Sequence, residues 1–230
     1  LNKVLLGQKK LSYLQKIIFL EKITEAQKSI LTKKVITWNA IFSKNSGGSE
    51  EYEPVFLDPD EVCTIIYTSG TTGTPKGVML THRNLLSNLE AVNEVIPVKK
   101  NDVFLSFLPL SHVLERLAGY YIPLLYGATI AYAENVKQLA QNLREAKPTV
   151  LISVPRIFEK FHDAIWDNIN NSYPFKKKLF KWALKQPKGT FTYKIADYLI
   201  FRKIRQKMGG KLRLTISGGA SLDSNIAKFF

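Results

Sequence analysis

The chain has 230 residues, 45% of them hydrophobic, which is a normal content for a globular core. Its single cysteine excludes a disulfide framework, and its three histidines show no metal-ligand spacing. The formal net charge of +14 comes mainly from lysines, which argues against reading of nucleic-acid bases because bidentate arginine is the usual group for that task. We therefore expect no metal site and no nucleic-acid partner.

The first part of the chain predicts few regular elements. Ile17–Leu20 is predicted as a strand and Thr24–Leu31 as a short helix. Residues from about 43 to 53 are polar, with no core-forming content, so we interpret them as a linker. There is no basic-then-apolar leader pattern, and Gly119–Ala133, the longest apolar stretch, is shorter than the ~20 residues of a membrane span. We expect a cytoplasmic protein.

Farther along, strands and helices alternate. Hydrophobic periodicity predicts helices at Asn84–Val95, Val113–Leu125, Val136–Ala146, Arg156–Ile169 and Tyr193–Met208. Strands are predicted at Val62–Tyr67, Val103–Phe107, Ala128–Tyr132, Thr149–Ser153 and Leu212–Ser217. This alternation implies an α/β fold, with a mainly parallel sheet covered by helices on both faces. Ligands of such sheets bind beyond the carboxyl ends of the strands.

A loop rich in glycine and hydroxyl groups follows the strand at Val62–Tyr67. Its polar and flexible residues are Thr68, Ser69, Gly70, Thr71, Thr72, Gly73, Thr74, Lys76 and Gly77. Glycines let backbone N–H groups converge on an anion, hydroxyls donate to phosphate oxygens, and the lysine adds a point charge. This composition predicts a polyphosphate clamp. It is not a Walker A loop, because Pro75 precedes the lysine and Gly77 follows it. A polar surface hairpin turn is the alternative.

Three more segments lie at or just beyond predicted strand ends: Leu108–Arg116, Ser153–Lys160 and Ser217–Leu222. Each is weak evidence by itself. A lone His112 is more often a structural histidine than a catalyst, and two adjacent glycines indicate a tight turn. For Glu115 and Arg116, a charge pair at the start of a helix is at least as good an interpretation as a functional role.

In this order and spacing, the loop and the three segments resemble the long-chain fatty acyl-CoA synthetase branch of the AMP-forming adenylating enzymes. The motifs that carry the resemblance are Pro-Leu-Ser-His before Glu-Arg, Val-Pro-Arg-Ile-Phe-Glu-Lys, and Ser-Gly-Gly-Ala-Ser-Leu. The resemblance runs from about Pro54 to Phe230. It implies part of the large N-terminal domain of the adenylating-enzyme fold.

The resemblance implies a two-step ligase reaction that uses ATP, Mg²⁺, a fatty acid and coenzyme A. It implies that the β- and γ-phosphates are held by Thr68, Ser69, Gly70, Thr71, Thr72, Gly73 and Lys76. It implies that His112 borders the acyl entrance, and that Gly218, Gly219 and Ala220 form a wall against adenine and the acyl chain. It identifies no catalytic residue and no metal-binding residue within this sequence.

The family pattern also includes parts that this sequence does not contain. The resemblance implies a later Tyr-Gly-x-Thr-Glu segment, a ribose-binding aspartate and a small C-terminal lid domain that carries an adenylation lysine. We therefore expect residues 1–230 to be a single incomplete AMP-binding domain, a fragment that is inactive alone. A non-catalytic remnant that retains polyphosphate or membrane-surface binding is the alternative.

The basic segment Phe175–Lys185 interleaves lysines with large apolar residues. On a helix, Phe175, Leu179 and Trp182 share a face, and this pattern suits peripheral contact with an anionic membrane surface. A solvated insertion with a few anchoring aromatic residues is an equally good interpretation.

Overall fold

The computed structural model of the protein describes residues 10, 12–20, 22–31, 34–44, 53–69 and 73–230. The chain divides into two compact units, Leu1–Phe56 and Leu57–Phe230. The single domain predicted across residues 1–230 stays a prediction. Most of the predicted linker, residues 45–52, lies outside the described residues.

The first unit contains a small parallel sheet with short helices. Its elements are β1 (Lys16–Phe19), α1 (Glu25–Ser29), β2 (Lys34–Thr37) and α2 (Trp38–Lys44). β1 pairs with β2 in parallel, with Ile17 opposite Val35. Thr24 caps α1 and exchanges hydrogen bonds with Gln27, which explains why the helix begins there. The predicted strand and helix are confirmed.

The second unit begins with an antiparallel hairpin. β3 (Val62–Thr68) pairs with β4 (Lys76–Thr81), and α3 (His82–Val95) follows at once. Thr81 accepts a hydrogen bond from the backbone N–H of Asn84 at 3.2 Å, and the Asn84 side chain accepts one in return at 3.0 Å. This reciprocal cap satisfies two donors at the helix start and explains why the helix begins two residues before the predicted Asn84.

A second, four-stranded sheet forms the centre of this unit. Its strands are β5 (Val103–Ser106), β6 (Thr129–Tyr132), β7 (Val150–Ser153) and β8 (Leu214–Ser217). They run in parallel in the order β6-β5-β7-β8. The predicted α/β class with a parallel sheet is confirmed.

Helical segments connect these strands. Between β5 and β6 lie a π-helix, π1 (Glu115–Tyr121), and α4 (Ile122–Leu125). α5 (Leu139–Ala146) connects β6 to β7. Between β7 and β8 lie α6 (Pro155–Asn170), α7 (Pro174–Leu184), α8 (Phe191–Ala196), a second π-helix π2 (Asp197–Phe201) and α9 (Arg202–Lys207). α10 (Ser224–Phe229) follows β8. The continuous helices predicted at Val113–Leu125 and Tyr193–Met208 are therefore interrupted by π segments, in which one extra residue per turn breaks the 3.6 period.

Alternate residues of the central strands enter two separate cores. Phe104, Val150 and Ile152 pack with Leu89 of α3 and Ile122 of α4. The residues between them in sequence face the other way. Leu105 and Leu151 pack with Leu139 and Leu143 of α5 and Ile157 of α6. Because strand side chains alternate between faces, this arrangement covers both faces of the sheet, as predicted.

An ion pair ties together the amino ends of β5, β7 and β8. Asp102 is 2% exposed, and its carboxylate accepts from Arg213 Nε at 2.9 Å, from Arg213 Nη2, and from Thr149 Oγ1 at 2.6 Å. The backbone N–H of Lys99 donates to it at 2.7 Å. The hydrogen bonds of Arg213, with those of Thr149 and Lys99, lower the pKa of Asp102 to about 2.

The basic segment between α6 and α8 forms the helix α7. α7 is anchored by Phe180 and Ala183, which are fully buried, and the Phe180 ring meets the Trp166 ring edge-on at 5.2 Å. Phe175 is 73% exposed and Trp182 is 37% exposed. The lysines lie mainly on the side away from the core, so α7 is amphipathic.

Candidate active site

The glycine- and hydroxyl-rich loop connects the two strands of the hairpin. Thr68, the last residue of β3, stands opposite Lys76, the first residue of β4, and its hydroxyl lies 3.5 Å from the Lys76 carbonyl oxygen. Thr68, Ser69 and Lys76 are exposed, and Gly73 has a φ of 82°. That left-handed conformation favours glycine. Gly70, Thr71 and Thr72 lie outside the described residues.

Gly77 has a packing role in the hairpin. A Cβ atom there would lie 2.9 Å from Ile65 Cγ2 and 3.5 Å from the Tyr67 ring. The glycine therefore lets these side chains of β3 cross β4. Gly77 contributes to the shape of the hairpin, whereas Gly73 lies within the connecting loop.

His112 precedes the first π-helix. It is exposed, and its Nδ1 accepts a hydrogen bond from the backbone N–H of Leu114 at 3.3 Å. The Leu114 side chain lies directly over Gly218, where a Cβ atom would come within 2.9 Å of Leu114 Cδ1. Leu114 thus links the His112 segment to the turn after β8.

The turn after β8 is fixed to the neighbouring strand. The backbone N–H of Gly218 donates to the carbonyl of Ser153, the last residue of β7, at 3.0 Å. Gly219 has a φ of 83°, and Ala220 is exposed. The structure therefore places the His112 segment, through Leu114, beside the Gly218 turn at the carboxyl edge of the sheet, where a ligand site is expected.

Arg116 joins this edge to the hairpin. Its guanidinium donates to the Leu110 carbonyl at 3.1 Å and to Thr64 Oγ1 of β3 at 3.2 Å. Among the described residues it makes no ion pair with Glu115, so the charge pair considered from the sequence is wrong.

The burial of Glu115 was not predicted from the sequence. It is 1% exposed, and neither carboxylate oxygen has a hydrogen-bond partner among the described residues. Burial is the largest cause and raises the pKa of this carboxyl; the nearby hydroxyl of Ser106, although it makes no hydrogen bond of normal geometry to the carboxylate, lowers the pKa by less. A Cβ atom on Gly119 would lie 2.5 Å from Glu115 Oε1, so the glycine makes room for the carboxyl.

Ser217 is a second unpartnered group at the same end of the sheet. It is the last residue of β8, and its Oγ is buried without a hydrogen-bond partner among the described residues. The available signal for Glu115 was an acidic residue four positions before a glycine in a mostly apolar segment. For Ser217 the sequence contained no such signal.

The described residues show neither a metal-binding cluster nor a membrane-spanning helix. They contain no group of three or more His, Cys, Asp or Glu side chains placed to hold a metal ion. None of their helices combines the length and the apolar content needed to cross a bilayer.

Comparison with known proteins supports the resemblance found in the sequence. A family model described as AMP-binding enzyme matches residues 3–230. Fatty acyl-CoA synthetase A of Dictyostelium discoideum is 36% identical over 179 residues, which cover 74% of this chain and 26% of the relative. Long chain acyl-CoA synthetase 3 of Arabidopsis thaliana is 33% identical over 241 residues, covering 96% of this chain and 35% of the relative.

Solved structures support the fold. The adenylation domain of a carboxylate reductase from Mycobacterium chelonae superposes with a TM-score of 0.65 at 22% identity, covering 99% of this chain and 36% of that one. The A-PCP didomain of a carboxylic acid reductase from Segniliparus rugosus, in complex with AMP, gives a TM-score of 0.66 at 19% identity, covering 99% of this chain and 32% of that one. Both show the fold of an adenylation domain.

The chain belongs to the AMP-binding enzyme family. It is similar to long-chain acyl-CoA synthetases, as predicted, and spans between 26% and 35% of the two relatives described above.

Proposed function

We propose that this chain forms part of an AMP-forming ligase that activates a long-chain fatty acid for transfer to coenzyme A. The observation that carries the proposal is the hairpin loop, whose exposed Lys76 stands opposite Thr68 in a chain of the AMP-binding family. The similarity to fatty acyl-CoA synthetases supports the choice of a fatty carboxylate.

In the proposed first step, a carboxylate oxygen attacks the α-phosphorus of ATP, with Mg²⁺ arriving as part of the nucleotide substrate. The bond from the α-phosphorus to the bridging oxygen breaks, and pyrophosphate leaves with the electron pair. The leaving group is a polyanion, so convergent N–H, hydroxyl and ammonium donors orient it and offset its developing charge. We assign this task to Thr68, Ser69, Gly70, Thr71, Thr72, Gly73 and Lys76.

In the proposed second step, the sulfur of coenzyme A attacks the acyl carbon, the bond to the AMP oxygen breaks, and the thiol proton is released. We place the acyl-adenylate along the carboxyl edge of the sheet, beside His112 and the turn Gly218-Gly219-Ala220. The packing of Leu114 over Gly218, which holds the His112 segment beside this turn, supports the placement.

Pyrophosphate exchange in the natural gene product tests the clamp. Lys76→Ala and Thr72→Val should each slow exchange about tenfold or more, because each loses a charge-assisted contact worth ~1.5–3 kcal/mol. Lys100→Ala is the matched control, since Lys100 is an exposed lysine just before β5, at the amino edge. Unchanged exchange in both loop variants would remove the loop from the mechanism and favour a non-catalytic remnant.

We further propose that residues 1–230 alone do not complete the reaction. Fixing the α-phosphate, magnesium and carboxylate together is demanding, since a misplacement of ~1 Å can cost ~100-fold in rate. The purified 230-residue chain, given ATP, magnesium, palmitate and coenzyme A, should form no acyl-CoA above background. Robust thioester formation would contradict this.

We also propose peripheral membrane contact through α7. The exposed Phe175 and Trp182 and the lysines of the same helix support it, because aromatic and basic groups together favour an anionic bilayer surface. Anionic liposomes should co-sediment the protein at low salt, and glutamine in place of the α7 lysines should abolish this. Absence of binding at low salt, or binding that survives the substitutions, would refute the proposal.

A further inference from the structure

A second, strongly basic cleft lies at the opposite end of the sheet from the candidate active site. It has a volume of about 430 Å³ and is lined by Arg144, Lys147, Arg202, Arg205 and Lys211, together with Gln206 and two glycines. α5 ends just before β7, and α9 ends just before β8, so the cleft belongs to the amino edge of these strands. None of the described residues that line it is acidic.

The close packing of two helix ends creates the cleft. Gly209 has a φ of 92°, and a Cβ atom there would lie 3.0 Å from Lys147 Cα and closer still to the carbonyl oxygen of Leu143. Only a glycine therefore lets the turn after α9 approach the end of α5. Lys147 itself has a φ of 47°, a left-handed conformation that usually selects glycine or asparagine at a helix end. The chain carries a lysine at this strained position, and that lysine lines the cleft.

The negative ends of the two helices neutralise only part of the positive charge of the cleft. Each helix carboxyl end carries about half a negative charge, which favours nearby cations. Asp197 adds one carboxylate, bound to Arg205 at 2.6 and 2.8 Å. Set against five cationic side chains, these groups leave a net charge of about +3 around the cleft.

Two of the three arginines of the cleft are held in position by neighbouring side chains. Arg205 is held by Asp197, and the Arg202 guanidinium lies 5.8 Å from the centre of the Tyr198 ring. Within the described part of the chain, Arg144, Lys147 and Lys211 have no ion-pair partner. The cleft thus combines fixed guanidinium groups, which suit phosphate oxygens, with lysines whose charge is uncompensated.

We propose that this cleft binds a ligand that carries at least two phosphate groups, as a site distinct from the hairpin loop. The ligand is either a free phosphate compound or the phosphorylated headgroup of a lipid, since both present the same chemistry. The proposal does not rest on the ligase activity.

The soluble arm of the test titrates the Lys76→Ala protein with inorganic pyrophosphate, so that the hairpin loop does not compete. Amide NMR shifts at residues 143–147 and 205–211 report occupancy of the cleft. Arg144→Gln with Lys211→Gln should weaken this binding about tenfold, because two charge-assisted contacts are lost. Lys203→Gln with Lys207→Gln is the matched control, since these exposed lysines of α9 do not line the cleft.

The lipid arm measures co-sedimentation with phosphatidylcholine vesicles, with and without phosphatidylinositol bisphosphate. Loss of headgroup-dependent binding in the cleft variant, and not in the α9 control, would identify a lipid as the source of the phosphates. Loss confined to the soluble arm would identify a free phosphate compound. Equal weakening in both variants, or absence of binding in both arms, would overturn the proposal, because the positive charge would then act only diffusely.

Discussion

Each end of the central sheet contains a buried acid, but the two acids differ in their hydrogen bonding. At the amino edge, Asp102 is 2% exposed and its carboxylate receives hydrogen bonds from Arg213, Thr149 and the backbone of Lys99. At the carboxyl edge, Glu115 is 1% exposed and its carboxylate has no partner among the described residues. The pKa of Asp102 falls to about 2, whereas burial raises the pKa of Glu115.

This difference separates an edge whose buried acid is paired from an edge whose buried acid is not. Satisfied polar groups fix strands that are distant in sequence, and they hold the amino ends of the sheet together. Unsatisfied polar groups are costly, and they tend to persist where a site needs them. The carboxyl edge, with Glu115 and the unpartnered Ser217 Oγ, is the end at which we place the adenylate.

The largest expected effect is at the amino edge. Asp102→Ala should lower the free energy of unfolding by about 3 kcal/mol, because it leaves Arg213 and Thr149 without their acceptor. Urea unfolding measures this. Asp60→Ala is the control, since its ion pair with Arg83 is exposed on both sides and should leave the midpoint almost unchanged. Equal shifts of the urea midpoint in the two variants would show that the buried pair at the amino edge stabilises the protein no more than an exposed one.

A smaller effect is expected beside Glu115. Gly119→Ala should destabilise the protein by about 2 kcal/mol, because the added Cβ would lie 2.5 Å from the buried carboxyl oxygen. Adding Glu115→Ala to this variant should recover part of the loss, since the clashing group is then gone. Additive losses in the double variant would show that Gly119 packs against something other than the carboxyl.

The pH dependence should differ in sign between the two acids. Asp102 has a lowered pKa, so its stabilisation, on the order of 2 kcal/mol, is present above the unfolded pKa of ~4 and is lost as the pH falls through about 2. Glu115 has a raised pKa, so its contribution is most favourable below the unfolded pKa of ~4.3 and is lost as the pH rises through the folded pKa.

The substitution Glu115→Gln isolates the contribution of Glu115 to the pH dependence of stability. Urea midpoints of this variant should fall less between acidic and neutral pH than those of the unmodified protein, because the glutamine has no proton to lose. Parallel profiles for the two proteins would mean that Glu115 titrates as an exposed residue does.

Much of the fold was predictable because its signals are local. The alternation of apolar strands and helices predicted the parallel sheet, and hydrophobic periodicity predicted α3 to within two residues of its start. The loop composition likewise indicated a hairpin turn or a phosphate clamp, and the structure shows a hairpin connection at that position. Its phosphate-binding role stays a prediction.

Other features depend on contacts that a sequence pattern does not contain. Asp102 and Arg213 are 111 residues apart, so nothing local predicted their pairing. The two π segments add a residue to a turn and therefore disturb the 3.6-residue period from which the helices were predicted. On α7 the sequence predicted a shared face of Phe175, Leu179 and Trp182, but its lysine-rich pattern did not indicate that Phe180 and Ala183 would be the buried residues.

Hydrogen–deuterium exchange with a non-hydrolysable acyl-adenylate analogue tests the central claim most directly. The analogue carries no polyphosphate, so the basic cleft does not compete for it. In the natural gene product, binding should slow amide exchange at residues 110–120 and 216–220, at the carboxyl edge, and leave residues 99–103 and 149–150 unchanged. Protection confined to the amino edge, or none at either edge with the analogue bound, would contradict the account.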